Sequence, residues 1–309
     1  MRIHEDVEGW YKFEAVRPDG TKRLLADWFP NLITDAGLER MAGNGDWMRY
    51  CQVGSGNTAP NVLDTALANR IAGSYTQQAS INGAQAEEPY FCWRRTTIRF
   101  AEGVAAGNLS EVGMGWASSG SLFSRALILG SEGDPTTITV AADEILDVTY
   151  EFRFYPRLTD VTGSVTLTGN IGGTYDYVMR AASVTTSSGS TGWYIGASGE
   201  SMAGAYAFPG TAAYNGDIGL ITGRPSGTNS YASSITASPY SAGSLEREFT
   251  AAWGPNEGNL SGGIRSFWLK IGIGTFQFRV GLQGTDAAIP KTSDDELSLK
   301  FVHSWGRRP

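Results

Sequence analysis

An internal repeat constrains the fold of this chain more than any other feature. The tetrapeptide Gly107-Asn108-Leu109-Ser110 returns 151 positions later as Gly258-Asn259-Leu260-Ser261. The residues that follow also agree, in the pairs Val112 and Ile264, Trp116 and Trp268, Phe123 and Phe276, and Leu129 and Leu282. Solenoid units recur every 20 to 50 residues or so, and a much longer period is that of a whole domain. The repeat therefore predicts two tandem, related β domains, residues 1–157 and residues 158–309.

The composition and the hydrophobic alternation predict an all-β fold. Charged residues make up 18% of the chain, against about 25% in typical proteins, and 40 of the 309 residues are Gly. In the segment 146–154 apolar and polar residues alternate, which indicates an antiparallel strand with one buried and one exposed face. We predict further strands at 91–100, 112–116, 123–129 and 136–140. The expected architecture is mainly antiparallel, a sandwich or jelly-roll-like fold, with one or two short helices.

The N-terminal segment predicts a hairpin followed by a short helix. Two apolar runs, 10–16 and 22–29, flank Pro18-Asp19-Gly20, a sequence typical of a tight turn. Thr34 then has the position of a helix N-cap, and Leu38 and Met41 share one helical face. A second short helix is predicted at 64–72.

The net charge, the hydropathy and the cysteines predict how the chain relates to nucleic acid, to membranes and to disulfide formation. The net charge of -7 disfavours nucleic-acid binding, which depends on clustered Lys and Arg. No window is apolar enough to span a bilayer, so we expect no membrane insertion. The two cysteines, Cys51 and Cys92, are predicted to be reduced, packed thiols.

Residues suited to catalysis or to metal binding are scarce. The only histidines are His4 and His303, one near each end, which disfavours a Ser-His-Asp hydrolase and a zinc site. We interpret the acidic groups 143–144 and 294–296 as turn residues rather than calcium ligands. The sequence therefore predicts no catalytic, cofactor or metal site and no enzymatic activity. A pair of carboxylates for glycoside hydrolysis stays open, because their separation is a spatial property.

Two segments, 185–191 and 215–244, have the Gly, Ser and Thr content of long loops. Aromatic residues lie in or beside the second one, and we take Tyr214, Tyr231 and Tyr240 as possible ligand or partner contacts. Such rings stack on sugars or pack on a partner protein, but they also pin a loop to its own domain.

Three segments of the N-terminal half carry a resemblance to a known class of protein. They are Asn31-Leu32-Ile33-Thr34-Asp35-Ala36-Gly37-Leu38, Val53-Gly54-Ser55-Gly56-Asn57-Thr58-Ala59-Pro60 and Asp64-Thr65-Ala66-Leu67. This order resembles a pattern in tail and fibre proteins of tailed bacteriophages, in which N-L-I-T-x-x-G-L precedes V-G-x-G-x-T-x-P and D-T-x-L. Because the chain carries no long triple-helical or low-complexity shaft, a collar, baseplate or neck component stays open beside a fibre.

What the resemblance implies is a structural component of the virion, assembled in the host cytoplasm. Such a component forms homo-oligomers and docks on other virion proteins. The alternative function is a carbohydrate-binding module that recognises a host-surface glycan through the tyrosines of the 214–240 region.

Overall fold

The chain forms a β-sandwich of short and long strands with a single described helix. The structure, a computed structural model, describes residues 1–43, 45–85, 87–184, 192–196, 211–271 and 273–309. The helix is α1 (Asp35–Met41). The strands in chain order are β1 (Arg2–Val16), β2 (Lys22–Pro30), β3 (Leu32–Ile33), β4 (Tyr50–Gly54), β5 (Arg70–Ser74), β6 (Thr76–Gln85), β7 (Phe91–Phe100), β8 (Gly107–Leu109), β9 (Glu111–Gly115), β10 (Leu122–Leu127), β11 (Ile138–Val140), β12 (Ile145–Pro156), β13 (Val161–Leu167), β14 (Gly173–Ala181), β15 (Ala212–Tyr214), β16 (Asn229–Tyr231), β17 (Ser234–Ala237), β18 (Glu246–Trp253), β19 (Ser266–Lys270), β20 (Thr275–Leu282) and β21 (Leu297–Arg307).

The largest sheet, called here the main sheet, joins the two halves of the chain. Its strand order is β17-β18-β21-β1-β12-β7-β6, and β2 also pairs with β1. The central strand β1 runs antiparallel to β12 and parallel to β21. Strands from either side of the predicted boundary thus meet in one sheet, and the division at residues 157 and 158 stays a prediction.

Two smaller sheets repeat one strand order. The N-terminal one runs β3-β10-β9-β4-β5, and the C-terminal one runs β14-β20-β19-β15-β16 with β13 added outside β14. In the main sheet, β6-β7-β12 on one side of β1 has its counterpart in β17-β18-β21 on the other. The repeat in the sequence is accompanied by a repeat in strand order.

Each smaller sheet packs its apolar face on the main sheet. The ring of Phe123 in β10 lies 5.5 Å from that of Phe152 in β12, and Phe278 in β20 lies 5.3 Å from Phe301 in β21. These aromatic contacts explain the sandwich, because a sheet with one apolar face must bury it against another layer.

The predicted polar face of the strand 146–154 is partly covered. Asp147 and Glu151 are buried, although their row of the strand faces away from the core. Asp147 accepts hydrogen bonds from Arg99, and Glu151 is ion-paired with Arg95 and Arg153. Long arginine side chains from β7 and from β12 itself cover these carboxylates, which alternation alone does not reveal.

The N-terminal predictions are confirmed and two later ones are wrong. β1 and β2 form the predicted hairpin, and Thr34 caps α1 by accepting the N–H of Gly37. The segment 64–72 is not a helix but a turn that leads into β5. The predicted loop 215–244 contains two strands, β16 and β17, while the predicted loop 185–191 lies outside the described residues. Within the described part of the chain, no helix is long and apolar enough to cross a membrane.

Candidate functional site

Two of the three segments that carry the phage resemblance are held by one buried ion pair, and the third pairs with the strand that carries its arginine. Glu111 in β9 and Arg125 in β10 are 0% and 2% exposed, and a hydrogen bond of 2.8 Å joins Nη2 of Arg125 to Oε2 of Glu111. The two residues lie on adjacent antiparallel strands, which holds their side chains within reach. We call Glu111, Arg125 and the loop 55–69 that they hold the clasp.

Glu111 fastens both ends of this loop through backbone N–H groups. Its carboxylate accepts hydrogen bonds from the N–H groups of Gly56 at 3.0 Å, Ala68 at 3.0 Å and Asn69 at 2.6 Å. A Cβ atom on Gly56 would lie 2.4 Å from Oε1 of Glu111, and one on Gly54 would lie 2.7 Å from it. The glycines of the Val-Gly-x-Gly segment are therefore required by the close approach of this carboxylate.

Arg125 fastens the middle of the loop. Its guanidinium donates to Oδ2 of Asp64 at 2.6 Å and to the carbonyl oxygen of Thr58 at 2.8 Å. Since it also pairs with Glu111, its charge is satisfied by two carboxylates. A buried charge of this kind is stable only when it is paired and hydrogen-bonded.

The Asn31–Leu38 segment docks α1 against the same strand β10. The Thr34 hydroxyl donates to the carbonyl oxygen of Leu122 at 2.7 Å and accepts the N–H of Gly37 at 2.9 Å. A Cβ atom on Gly37 would lie 2.2 Å from the carbonyl oxygen of Phe123. Thr34 and Gly37 thus have a common structural purpose, which is to bring the start of the helix against the strand.

An open groove of about 360 Å³ runs beside the clasp. Its apolar walls come from the three segments 30–32, 59–60 and 126–135, with Leu32, Pro60, Leu127 and Leu129 among them. Arg125 is the one ionisable residue in its lining, and the guanidinium is already engaged. Such a groove suits an apolar side chain and offers no group for proton transfer or metal binding.

The structure brings two of the three predicted contact tyrosines together. Tyr231 in β16 is 60% exposed, and Tyr214 lies half-buried on the neighbouring strand β15. Burial raises the pKa of the Tyr214 phenol, with a smaller contribution from Tyr231, while Arg224 opposes the rise. The cross-strand register places both rings on one face of the sheet.

Tyr240 lies elsewhere and holds a loop. Its hydroxyl donates to Oε1 of Glu39 in α1 at 2.9 Å, and its ring stacks on Trp305. Burial, followed by the Glu39 hydrogen bond, raises the pKa of Tyr240. These contacts fasten the loop after β17 to the N-terminal helix.

A buried ionisable cluster lies where β1 meets β21. Glu5 and His303 are fully buried with Oε2 and Nε2 3.1 Å apart. Burial, and then the negative charge of Glu5, raise the pKa of the nearby Cys92 thiol, while Lys270 opposes the rise. The adjoining cavity measures about 10 Å³, room for about one water molecule, so a substrate has no space there.

Sequence reasoning missed Glu5, Glu111 and Arg125. The burial of Glu5 has a signal in the sequence, because Glu5 occupies the apolar row of β1 between Ile3 and Val7. The pairing of Glu111 with Arg125 has no such signal, since the residues that they bind are distant in sequence. The Cys51 and Cys92 thiols are buried and unbridged, as predicted.

Acidic residues near the predicted turns are engaged within the chain. Glu144 accepts hydrogen bonds from Arg23 at 2.8 Å and from the N–H of Ala141. Asp295 accepts the N–H and the hydroxyl of Thr292. The described residues contain no group of three or more His, Cys, Asp or Glu side chains arranged to hold a metal ion.

Comparisons with known proteins identified no relative of this chain. No protein-family model matches the chain, and no curated protein or solved structure is significantly similar to it.

Proposed function

We propose that the chain is a structural component of a tailed-phage virion, a tail, collar or fibre protein that self-assembles and docks on other virion proteins. The observation that carries the proposal is the meeting of the three motif segments at β10 beside an open groove. The clasp holds two of them, and the third, 31–38, pairs with β10. The polar contacts of the clasp hold a surface loop in place. Loops that a scaffold positions in this way commonly carry binding surfaces, which favours recognition.

The groove is the docking site that we propose. Its walls are apolar and its single ionisable residue is neutralised, so its occupant is an apolar side chain of a neighbouring virion protein. A rigid rim lowers the entropic cost of such docking, because the loop is already ordered. We place the assembled protein in the virion, formed in the host cytoplasm.

The direct test is the protein content of purified particles. Virions made from the genome that encodes the chain are banded on a density gradient and analysed by quantitative mass spectrometry. A structural component is expected in a constant ratio to the major capsid protein. Particles that lack the chain contradict the proposal.

A groove variant then tests the docking site. We expect Leu127→Glu to reduce incorporation into particles, because it places an unpaired carboxylate in the apolar groove. The matched control is Leu24→Glu, at an exposed leucine of β2, which is expected to be incorporated normally. Equal incorporation of both variants contradicts the docking site and leaves the virion proposal to the particle test.

A second candidate function is the binding of a host-surface glycan. It is favoured by Tyr231, an exposed ring with Tyr214 beside it on the same face. On a glycan array we expect Tyr231→Ala to abolish binding and Tyr75→Ala, at a ring that is 61% exposed in the other half, to keep it. The absence of wild-type binding to any bacterial sugar contradicts this candidate.

The proposal describes the chain as non-catalytic. A depolymerase is the competing class, and it requires two carboxylates about 5 to 9.5 Å apart in one cleft. Release of reducing sugar from capsular polysaccharide by the purified protein would contradict the structural function.

A further inference from the structure

Three strands of the main sheet have one neighbour each among the described residues. They are β17 with 4 residues, β2 with 9 residues, which carries three charged side chains, and β6 with 10 residues. Among the described residues, β6 pairs with β7 alone. Every second residue of such a strand turns its N–H and C=O groups away from its neighbour, where another strand can bind them.

The sequence of β6 lacks the usual protection of a sheet edge. It contains no charged residue and no proline between Thr76 and Gln85. Its one irregularity is a bulge between Gln77 and Ala79, near its beginning. Natural proteins block long edges with lysine, proline, bulges or inward charges, so seven regular, neutral residues after the bulge form an open pairing surface.

An exposed apolar side chain lies at the centre of this surface. Ile81 is 54% exposed and stands opposite Arg95 of β7. Two residues on, Gly83 lies under the indole of Trp93, since a Cβ atom there would come 2.5 Å from the Trp93 ring. This row of β6 is therefore uncharged and carries one exposed apolar side chain, and it adjoins the free backbone edge.

We propose that β6 pairs antiparallel with β6 of a second copy of this chain. A two-fold axis perpendicular to the sheet joins the two main sheets edge to edge and keeps their outer faces on one side. Ile81 then lies opposite Ile81 of the second copy, or one diagonal step from it at about 7–8 Å.

The absence of charge on β6 favours a second copy as the occupant. Like charges directly opposite each other destabilise paired strands. When a strand pairs with a second copy of itself, each charged side chain comes near an identical charge. β6 has no charged side chain, so this repulsion does not arise along its length.

The neutral edge strand β13 offers a comparison within the same chain. It borders the C-terminal small sheet over 7 residues, and it exposes no large apolar side chain. Its shorter length and lack of an apolar contact make it the weaker surface and a suitable control.

The experiment measures the mass of the purified protein by light scattering and sedimentation over a wide concentration range. We expect a reversible dimer for the wild type. Ile81→Glu places a carboxylate opposite Arg95 within one chain, but two carboxylates close together in the dimer. We expect the dimer dissociation constant to rise about ten-fold or more. Thr162→Glu, which adds the same charge to β13 at an exposed position opposite Val178, is expected to leave dimerisation unchanged.

Mixing of variants tests the pairing itself. Ile81→Glu and Ile81→Lys are each expected to be monomeric and to form a mixed dimer when combined, because opposite charges then meet across the edge. Matching circular dichroism and thermal unfolding of the monomers verifies that both variants fold.

Three results would overturn the pairing: a monomeric wild type, an oligomer unaffected by Ile81→Glu, or an oligomer weakened equally by Thr162→Glu. The pairing rests on the self-assembly that we propose for the chain, but the two fail separately. An oligomer that is unaffected by the Ile81 variants refutes pairing through β6 but is consistent with self-assembly. A monomeric wild type refutes both the pairing and self-assembly.

Discussion

Replacing Glu111 with glutamine removes the negative charge from the clasp while almost preserving the volume of the side chain. The wild-type carboxylate accepts three backbone N–H groups and the guanidinium of Arg125. A carboxamide has one oxygen to accept them, and its own N–H groups point at other donors. At least one buried donor therefore loses its partner.

The expected cost follows from the burial of the pair. Removing one member of a buried ion pair costs about 3–5 kcal/mol, and each buried donor left unpaired costs about 1–3 kcal/mol. Asp64 still binds Arg125 in the variant, so we expect the low end of the range, about 3 kcal/mol. At roughly 2 °C per kcal/mol for a chain of this size, the melting temperature falls by about 6 °C.

The assay is urea unfolding followed by tryptophan fluorescence, combined with limited proteolysis of the loop 55–69. The control is Asp160→Asn, which removes an ion pair with Arg180 at the surface and is expected to cost less than about 1 kcal/mol. If Glu111→Gln costs no more than this control, or if cleavage of the loop does not increase, the clasp does not stabilise the protein as argued.

Three further predictions concern backbone approach, pH and thiol access. Gly37→Ala is expected to lower the melting temperature, because its Cβ atom would lie 2.2 Å from the carbonyl oxygen of Phe123. The control Gly43→Ala is expected to keep the melting temperature, because the nearest atom would lie 3.7 Å away. Equal melting temperatures of the two variants refute the close contact. The hydrogen bond from Arg23 lowers the pKa of Glu144 below its ordinary 4.5, so the stabilisation is full above that pH and is lost as pH falls through the lowered value. Glu144→Gln is therefore expected to be less stable than wild type at neutral pH and equal to it in strong acid, and a constant difference in urea titrations argues against the pair. Burial raises the pKa of both cysteine thiols, so we expect a thiol reagent to label them only as fast as the protein unfolds globally. Rapid labelling of the native protein contradicts this expectation.

The elements that the sequence predicted correctly all have local signals. The predicted strand 91–100 is β7, and the predicted hairpin turn lies between β1 and β2. Thr34 caps α1 because its hydroxyl reaches an N–H three residues away. Alternation, turn residues and caps depend on neighbours in sequence, so one sequence is enough to find them.

The predictions that failed depended on distant partners. The segment 64–72 has helical spacing, yet the N–H groups of Ala68 and Asn69 bind the carboxylate of Glu111, 43 and 42 residues away. The strands β16 and β17 lie in a stretch with loop composition, and they exist because β15 and β18 offer them an edge. Long-range hydrogen bonds override local preference in both places.

Local sequence patterns establish that this chain is all-β and where several of its long strands lie, and they predict that one half repeats the other. Those properties follow from side-chain alternation and from residue identity, which are written along the chain. Long-range packing places β1 between strands of both halves, brings Glu5 against His303 in the buried interior and, among the described residues, leaves β6 at an edge. Strand partners and register depend on which remote segments exclude water together, and that choice is made only when the whole chain packs.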